Sequence, residues 1–195
     1  LHAVHGEDLA ILASVTLIVR AFGVLADAGL SALRPATALD LVSRLADATG
    51  LLGLASGQSL DLRTPEAAAS FDRLETIHAR KTGALFVASA EFGAVLGGAR
   101  ERELAAVRSY ARNVGLAFQI VDDLLDAEGD AAQTGKPVGA DAAAGKATFV
   151  SILGLERARN QARMLGDQAN AHLDMFGAKA DPLRWMTDFV ITRKS

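Results

Sequence analysis

The sequence predicts an all-α protein, a helical bundle folded as a single domain over residues 1–195, and three observations carry that expectation. Half of the 195 residues are hydrophobic while aromatics supply only 5%, a balance set by Ala and Leu, which are strong helix formers. Val and Ile never fall into the alternating runs that mark half-buried strands. The four prolines, Pro35, Pro65, Pro137 and Pro182, all lie between apolar stretches, where a missing N–H and a fixed φ do least harm.

These marks place helices at about 7–28, 36–56, 66–78, 80–97, 101–127, 147–176 and 182–193. The first contains "LAILASVTLIVRAFGVLA", long enough to raise the question of a membrane span. Arg20 sits well inside it, and Glu7, Asp8 and Asp27 flank it without an aromatic belt, so a buried bundle helix is expected and no stable membrane insertion. "TPEAAASF" reads as an N-cap at Thr64 followed by proline at the first helical position, and Gly97-Gly98 reads as a helix stop. Directly after the fifth helix comes the one long irregular stretch, "GDAAQTGKPVGADAAAGK", and a loop of that length in a helical protein is more often functional than idle.

Composition narrows the chemistry. With no cysteine there is no disulfide, thiolate metal site or cysteine nucleophile, and a cytoplasmic location is expected. A net charge of -3 and a pI near 5.8 give no general attraction to nucleic acid. His2 and His5 stand beside Glu7, but with no fourth ligand in sight they are not read as a metal site.

The unusual segment is "GLAFQIVDDLLDAEGD", which sets three carboxylates into an otherwise oily helix. At about 100° per residue, with Asp122 at zero, Asp126 falls near 40°, Gln119 near 60° and Asp123 near 100°. Gly115, at about 20°, is expected to leave the same face open. A solvated acidic stripe is the ordinary meaning of such charges, and spacing alone leaves that reading standing. Like charges on one arc repel by a few tenths of a kcal/mol per pair, however, and a hard cation would relieve them. Mg²⁺ is commonly held by one or two carboxylates together with the oxygens of a phosphorylated substrate.

That reading demands positive groups nearby. Lys136 in "TGKP" and Lys146 in "AGKAT" each follow a glycine, which lets an ammonium or a backbone approach a phosphate closely. In "HARKTGALF", Lys81 and Thr82 open an apolar helix whose N-terminal dipole is expected to help address one anion. A P-loop does not fit, because "GADAAAGK" has five residues where that motif has four, and it follows a helix. Gln58 and Asp61 in "GQSLDL" are three apart at a helix end and, taken by themselves, read as capping residues before they read as part of a site.

Taken in order, "GQSLDL", "HARKTGALF", "GLAFQIVDDLLDAEGD", "TGKPVGADAAAGKAT" and "LGLERAR" closely resemble the C-terminal two thirds of short-chain trans-isoprenyl diphosphate synthases, the farnesyl and geranylgeranyl diphosphate synthases. The opening "HAVHGEDLAILA" resembles the segment that follows their first aspartate-rich motif. The resemblance implies an isoprenoid-synthase-type helical bundle around a central cavity, of which this chain is a part. It implies Mg²⁺ ions held by Asp122, Asp123 and Asp126 of "DDLLD", with Asp122 the main ligand. The allylic diphosphate would be bound by Lys81, Thr82, Gln119, Lys136 and Lys146, and Gln58 with Asp61 would lie near the cavity. The partners implied are isopentenyl diphosphate, an allylic prenyl diphosphate and a second copy of the chain in a homodimer.

The match has departures. The first aspartate-rich motif is not in these residues, and the resemblance implies that the chain alone is an incomplete enzyme whose gene encodes roughly 100 further N-terminal residues. "ILASVTLIV" has Ser14 and Val15 where the family usually has Gly and Asp. A non-catalytic partner subunit and a terpene cyclase of the same fold remain as alternatives, although cyclases typically carry an Asn/Ser/Glu metal motif at the second site.

Overall fold

The computed structural model describes residues 1–65, 69–128 and 146–193, and among them there is helix and no strand. The chain divides into two compact units, Leu1–Asp47 and Ala48–Ser195.

The first unit holds α1 (His2–His5), α2 (Glu7–Ser31) and most of α3 (Pro35–Thr49). Gly6 separates α1 from α2 at φ 88, a conformation that an L side chain resists. Pro35 opens α3, where its missing N–H costs nothing. The hairpin is tight at Gly29, where an added Cβ would lie 2.6 Å from the Ala38 Cβ. Contrary to the buried bundle helix expected from sequence, α2 has no buried residue, and Leu12, Val15 and Val19 are all exposed. The physical reason within this unit is that α1 and the close approach at Gly29 cover little of a helix that is apolar round most of its circumference. By length and composition alone, with a mean hydropathy of 2.2 over its most apolar 18 residues, α2 also meets the requirement for crossing a membrane.

The second unit begins where the expected 36–56 helix breaks. At Gly53 the chain turns so closely on itself that a Cβ would lie 2.1 Å from the Ala48 carbonyl oxygen, and α4 (Leu54–Leu62) starts afresh. The next helix, α5, spans Phe71–His78; residues 66–68, where the expected helix begins, lie outside the described residues. The cap of α5 is Ser70, whose Oγ accepts from the Arg73 N–H at 3.2 Å, while the Thr64 hydroxyl donates back to the Leu60 carbonyl. A π-helical turn, Ala79–Gly83, leads without a break into α6 (Ala84–Leu96). Gly97 ends α6 and Gly98, at φ 73, turns the chain into α7 (Glu101–Glu128). The expected 147–176 helix divides at Gly154 (φ 78) into α8 (Phe149–Leu153), opened by a Thr148–Ser151 capping box, and α9 (Leu155–His172). A 3₁₀ segment, Asp174–Ala180, precedes α10 (Asp181–Thr192), with Pro182 in its first turn.

α7 is the axis of this unit. Leu116, Ala117, Ile120, Val121 and Leu124 meet Phe149 of α8 and Ala158, Ala162 and Leu165 of α9, the alanines letting the helices approach closely. Phe149 is fully buried between Phe71, 5.5 Å away edge-on, and His78, at 5.4 Å. Burying a side chain of this size contributes about 1.5–3 kcal/mol. Towards its start α7 uses Tyr110, Ala111 and Val114 against Ala169, Leu173 and Val190. Tyr110 donates its hydroxyl to the Leu183 carbonyl at 2.8 Å, which ties α10 down, and burial pushes its phenol upward in pKa. Buried Glu91 of α6 is satisfied by an ion pair with Arg108 of α7.

Candidate functional site

The π turn creates the first half of the site. It is squeezed between two helices that approach it through glycine. A Cβ on Gly57 of α4 would lie 2.2 Å from the Lys81 backbone nitrogen, and one on Gly115 of α7 would lie 3.2 Å from the Gly83 Cα. Gly115 therefore serves a helix contact; it does not open the acidic face, as expected from the wheel. Widening the turn lets Lys81 and Thr82 project from the middle of a continuous helical run. Neither stands at a free helix N-terminus, so the dipole expected to assist them is not available; their backbone lies inside the run from α5 to α6.

Two contacts fix these side chains. Lys81 Nζ donates to Asp61 Oδ2 at 2.5 Å, both groups part-buried. Gln119 Nε2 donates to Asp123 Oδ1 at 2.9 Å, an acceptor-only carboxylate that settles the amide orientation and leaves Gln119 Oε1 to accept from Thr82 Oγ1 at 3.3 Å. Asp61 is thus no helix cap. With Gln58, Leu74, Ile77 and Lys146 it lines a cavity of about 380 Å³. Lys136 lies outside the described residues.

The three aspartates do not behave as one face. Asp123 is 4% exposed, and its second oxygen accepts from the Phe149 backbone N–H at 2.8 Å. Both of its oxygens are committed to the protein, so the spacing that put it beside Asp122 placed it on the inner edge of the arc, under α8. Asp122, with its side chain 51% exposed, faces outward, and Asp126 one turn on is part-buried. Among the described residues no three His, Asp or Glu side chains gather closely enough to hold an ion by themselves.

Sequence reading missed Arg193. It follows α10, stands 71 residues beyond Asp122, and its Nη2 donates to Asp122 Oδ1 and to the Phe118 carbonyl, each at 3.3 Å. Its Cζ lies 4.1 Å above the Phe118 ring. One basic residue in "ITRKS" carries no signal of this; only the docking of α10 on α7 brings it to the aspartate.

The arrangement fits a hard cation at one point. Asp122 is an outward oxygen donor that could hold such an ion, and the Arg193 guanidinium already lies against it. Asp126 is within one helical turn, and Mg²⁺ completes its octahedron with water and phosphate oxygens when protein offers few carboxylates. Asp123 supports this site by fixing Gln119 and the start of α8.

Comparison with known proteins bears on the fold and the family. The family described as Polyprenyl synthetase matches residues 1–175. Farnesyl diphosphate synthase of Escherichia coli is 40% identical over 196 aligned residues, covering 98% of this chain and 66% of that protein. A polyprenyl synthase from Caulobacter crescentus, solved with calcium and isoprenyl diphosphate, superimposes with a TM-score of 0.86 at 27% identity, over 100% of this chain and 69% of the other. A geranyltransferase from Helicobacter pylori, solved with magnesium and isoprenyl diphosphate, gives a TM-score of 0.81 at 30% identity, over 98% of this chain and 61% of the other. The chain spans between 52% and 66% of the length of such curated relatives as the Arabidopsis thaliana geranylgeranyl pyrophosphate synthase 4 and the Escherichia coli enzyme. An all-α fold shared with those structures and a family match over most of its length establish that the chain belongs to the polyprenyl synthetase family.

Proposed function

We propose that this chain forms the diphosphate-binding part of a prenyltransferase that joins isopentenyl diphosphate to an allylic diphosphate, giving a farnesyl- or geranylgeranyl-length trans-prenyl diphosphate. The observation that carries the proposal is the π turn, which sets Lys81 and Thr82 against Asp61 and Gln119 on the flank of the helix that bears Asp122. The relatives' bound isoprenyl diphosphate and divalent ions support it.

In this reading Lys81, Thr82 and Gln119 hold the diphosphate of the allylic substrate, joined by Lys146 across the cavity and by Lys136; Gln58 lies beside them. Asp122 is the principal ligand for Mg²⁺, Asp126 assists through water, and Asp123 acts from behind as the residue that orients Gln119. Mg²⁺ supplies Lewis-acid stabilisation of the charge that builds on the leaving diphosphate. Lys81 adds a fixed positive charge where that negative charge develops, and holding the ammonium on Asp61 keeps it in place before the reaction. The allylic C–O bond breaks with its electron pair going to the diphosphate. The isopentenyl double bond supplies the pair for the new C–C bond, and the tertiary cation that results loses a proton to the released pyrophosphate. Apolar side chains such as Phe118 and Phe86, 5.3 Å apart, form a wall suited to excluding water from the cation.

Both compact units would belong to one catalytic domain, and the exposed apolar residues of α2 are surface that a homodimer would cover. Labelled isopentenyl diphosphate supplied to the full-length protein with allylic diphosphates of increasing length tests the reading. Mg²⁺-dependent chain elongation is expected, and no elongation of any allylic substrate refutes it.

A further inference from the structure

Arg193 occupies its position on Asp122 at a cost. Its side chain is only 13% exposed, two contacts at 3.3 Å hold Nη2, and the Phe118 ring lies under Cζ, yet the buried Nε has no hydrogen-bond partner. A buried donor without an acceptor is a penalty that disappears when the group returns to water. The attraction to Asp122, in turn, is that of a half-exposed carboxylate for a singly charged group at hydrogen-bond distance, which is modest. A side chain held this way is seated but replaceable, and a doubly charged ion is the natural competitor for the same oxygen.

Resting on the proposed role of Asp122, we propose that Arg193 is an internal stand-in for the divalent cation. It neutralises Asp122 while no metal is bound and must vacate Oδ1 for an ion to bind there. Metal loading and the seating of the chain's last helix on α7 then oppose each other. The guanidinium also keeps Asp122 turned outward, because Nη2 is pinned by the Phe118 carbonyl one helical turn back on the same helix.

Mn²⁺ titrated into the full-length protein without diphosphate, with free ion followed by electron paramagnetic resonance, tests this. Arg193→Gln should tighten Mn²⁺ binding about threefold, the size that a partly exposed ion pair reaches. A protein ending at Thr192 should do the same, and it guards against a specific effect of glutamine. Unchanged or weaker binding in both variants overturns the proposal, as does Mn²⁺ that binds neither the wild type nor these variants. Asp122→Asn separates the two levels of argument. If it leaves Mn²⁺ binding intact, the metal role of Asp122 falls and the stand-in with it; if it abolishes binding while the Arg193 variants match the wild type, only the stand-in falls. A second readout is the Nε proton of Arg193, which the Phe118 ring should shift upfield in the metal-free protein. Saturating Mg²⁺ should move it downfield, and a signal that does not move refutes displacement.

Discussion

The two flanks of α7 treat adjacent carboxylates in opposite ways. On the inner flank Asp123 is 4% exposed and takes one hydrogen bond from Gln119 Nε2 at 2.9 Å and one from the Phe149 N–H at 2.8 Å. On the outer flank Asp122 is half-exposed and takes one long contact at 3.3 Å from an arginine whose own hydrogen bonding is incomplete. A buried charge is tolerable only when its oxygens are satisfied by fixed donors, and the same satisfaction removes it from any exchange with a ligand. An open carboxylate with a replaceable partner is the reverse. Charge that holds the fold and charge left open to solvent are thus one residue apart.

The contrast can be broken most directly at Asp122. Asp122→Ala should lower turnover of the full-length enzyme by at least about a hundredfold, the scale seen when a principal electrostatic group is removed. Its melting temperature should stay close to that of the wild type. Near-normal turnover would remove the outer flank from the chemistry. Asp123→Ala should do the opposite to the fold, costing about 2–3 kcal/mol in denaturant unfolding because the Phe149 N–H and the Gln119 amide lose their acceptor inside the protein. If Asp123→Ala proves as stable as the wild type, the inner flank is not the scaffold described above.

A smaller effect is expected where the two flanks depend on a shared contact. Gly57→Ala would press a methyl group against the Lys81 backbone nitrogen, at 2.2 Å in the unrelaxed structure, so α4 must shift. Overpacking of this kind costs about 1–3 kcal/mol. Because Lys81 moves with it, substrate KM should rise as stability falls, and a change in stability without one in KM would show that the π turn is not what positions Lys81. The smallest effect lies at the far end of α7. Arg100 holds the Glu103 carboxyl down from 4.5 to about 2 through hydrogen bonds from its guanidinium and its backbone N–H. A depressed acid stabilises the fold above its ordinary range and ceases to do so as pH falls from about 4.5 through about 2. Carbon-13 titration of the Glu103 side chain should show this low midpoint, and a midpoint near the ordinary glutamate value would remove the pair.

How far the sequence discloses this molecule depends on whether a feature is local. α7 was legible almost to the residue, 101–127 expected and Glu101–Glu128 observed, because a long amphipathic helix repeats its signal over many turns. The breaks at Gly53 and Gly154 were not, since a glycine inside an apolar run marks a turn only when another part of the chain comes close or φ turns positive. Lys81, Thr82, Gln119 and Asp61 were legible as site candidates, while their pairing was not, because it joins α4, the π turn and α7. The inward turn of Asp123 depends on α8 lying over one edge of the arc, which no helical wheel contains. Arg193 was invisible for the same reason at greater range: its partner is 71 residues away.

The π turn at Ala79–Gly83 makes the segment sensitive to length more than to identity. Its wider loop holds roughly one residue beyond an α-helical turn. Deleting a single residue would restore regular winding and leave everything beyond it near its present rotation, because four α-helical residues turn about as far as five in the wider loop. Ala79 and Arg80 are exposed and should accept many side chains. Shortening the same stretch by one would leave Phe86 on Phe118 but remove the widening from which Lys81 reaches Asp61, so a deletion here should cost the site more than the fold.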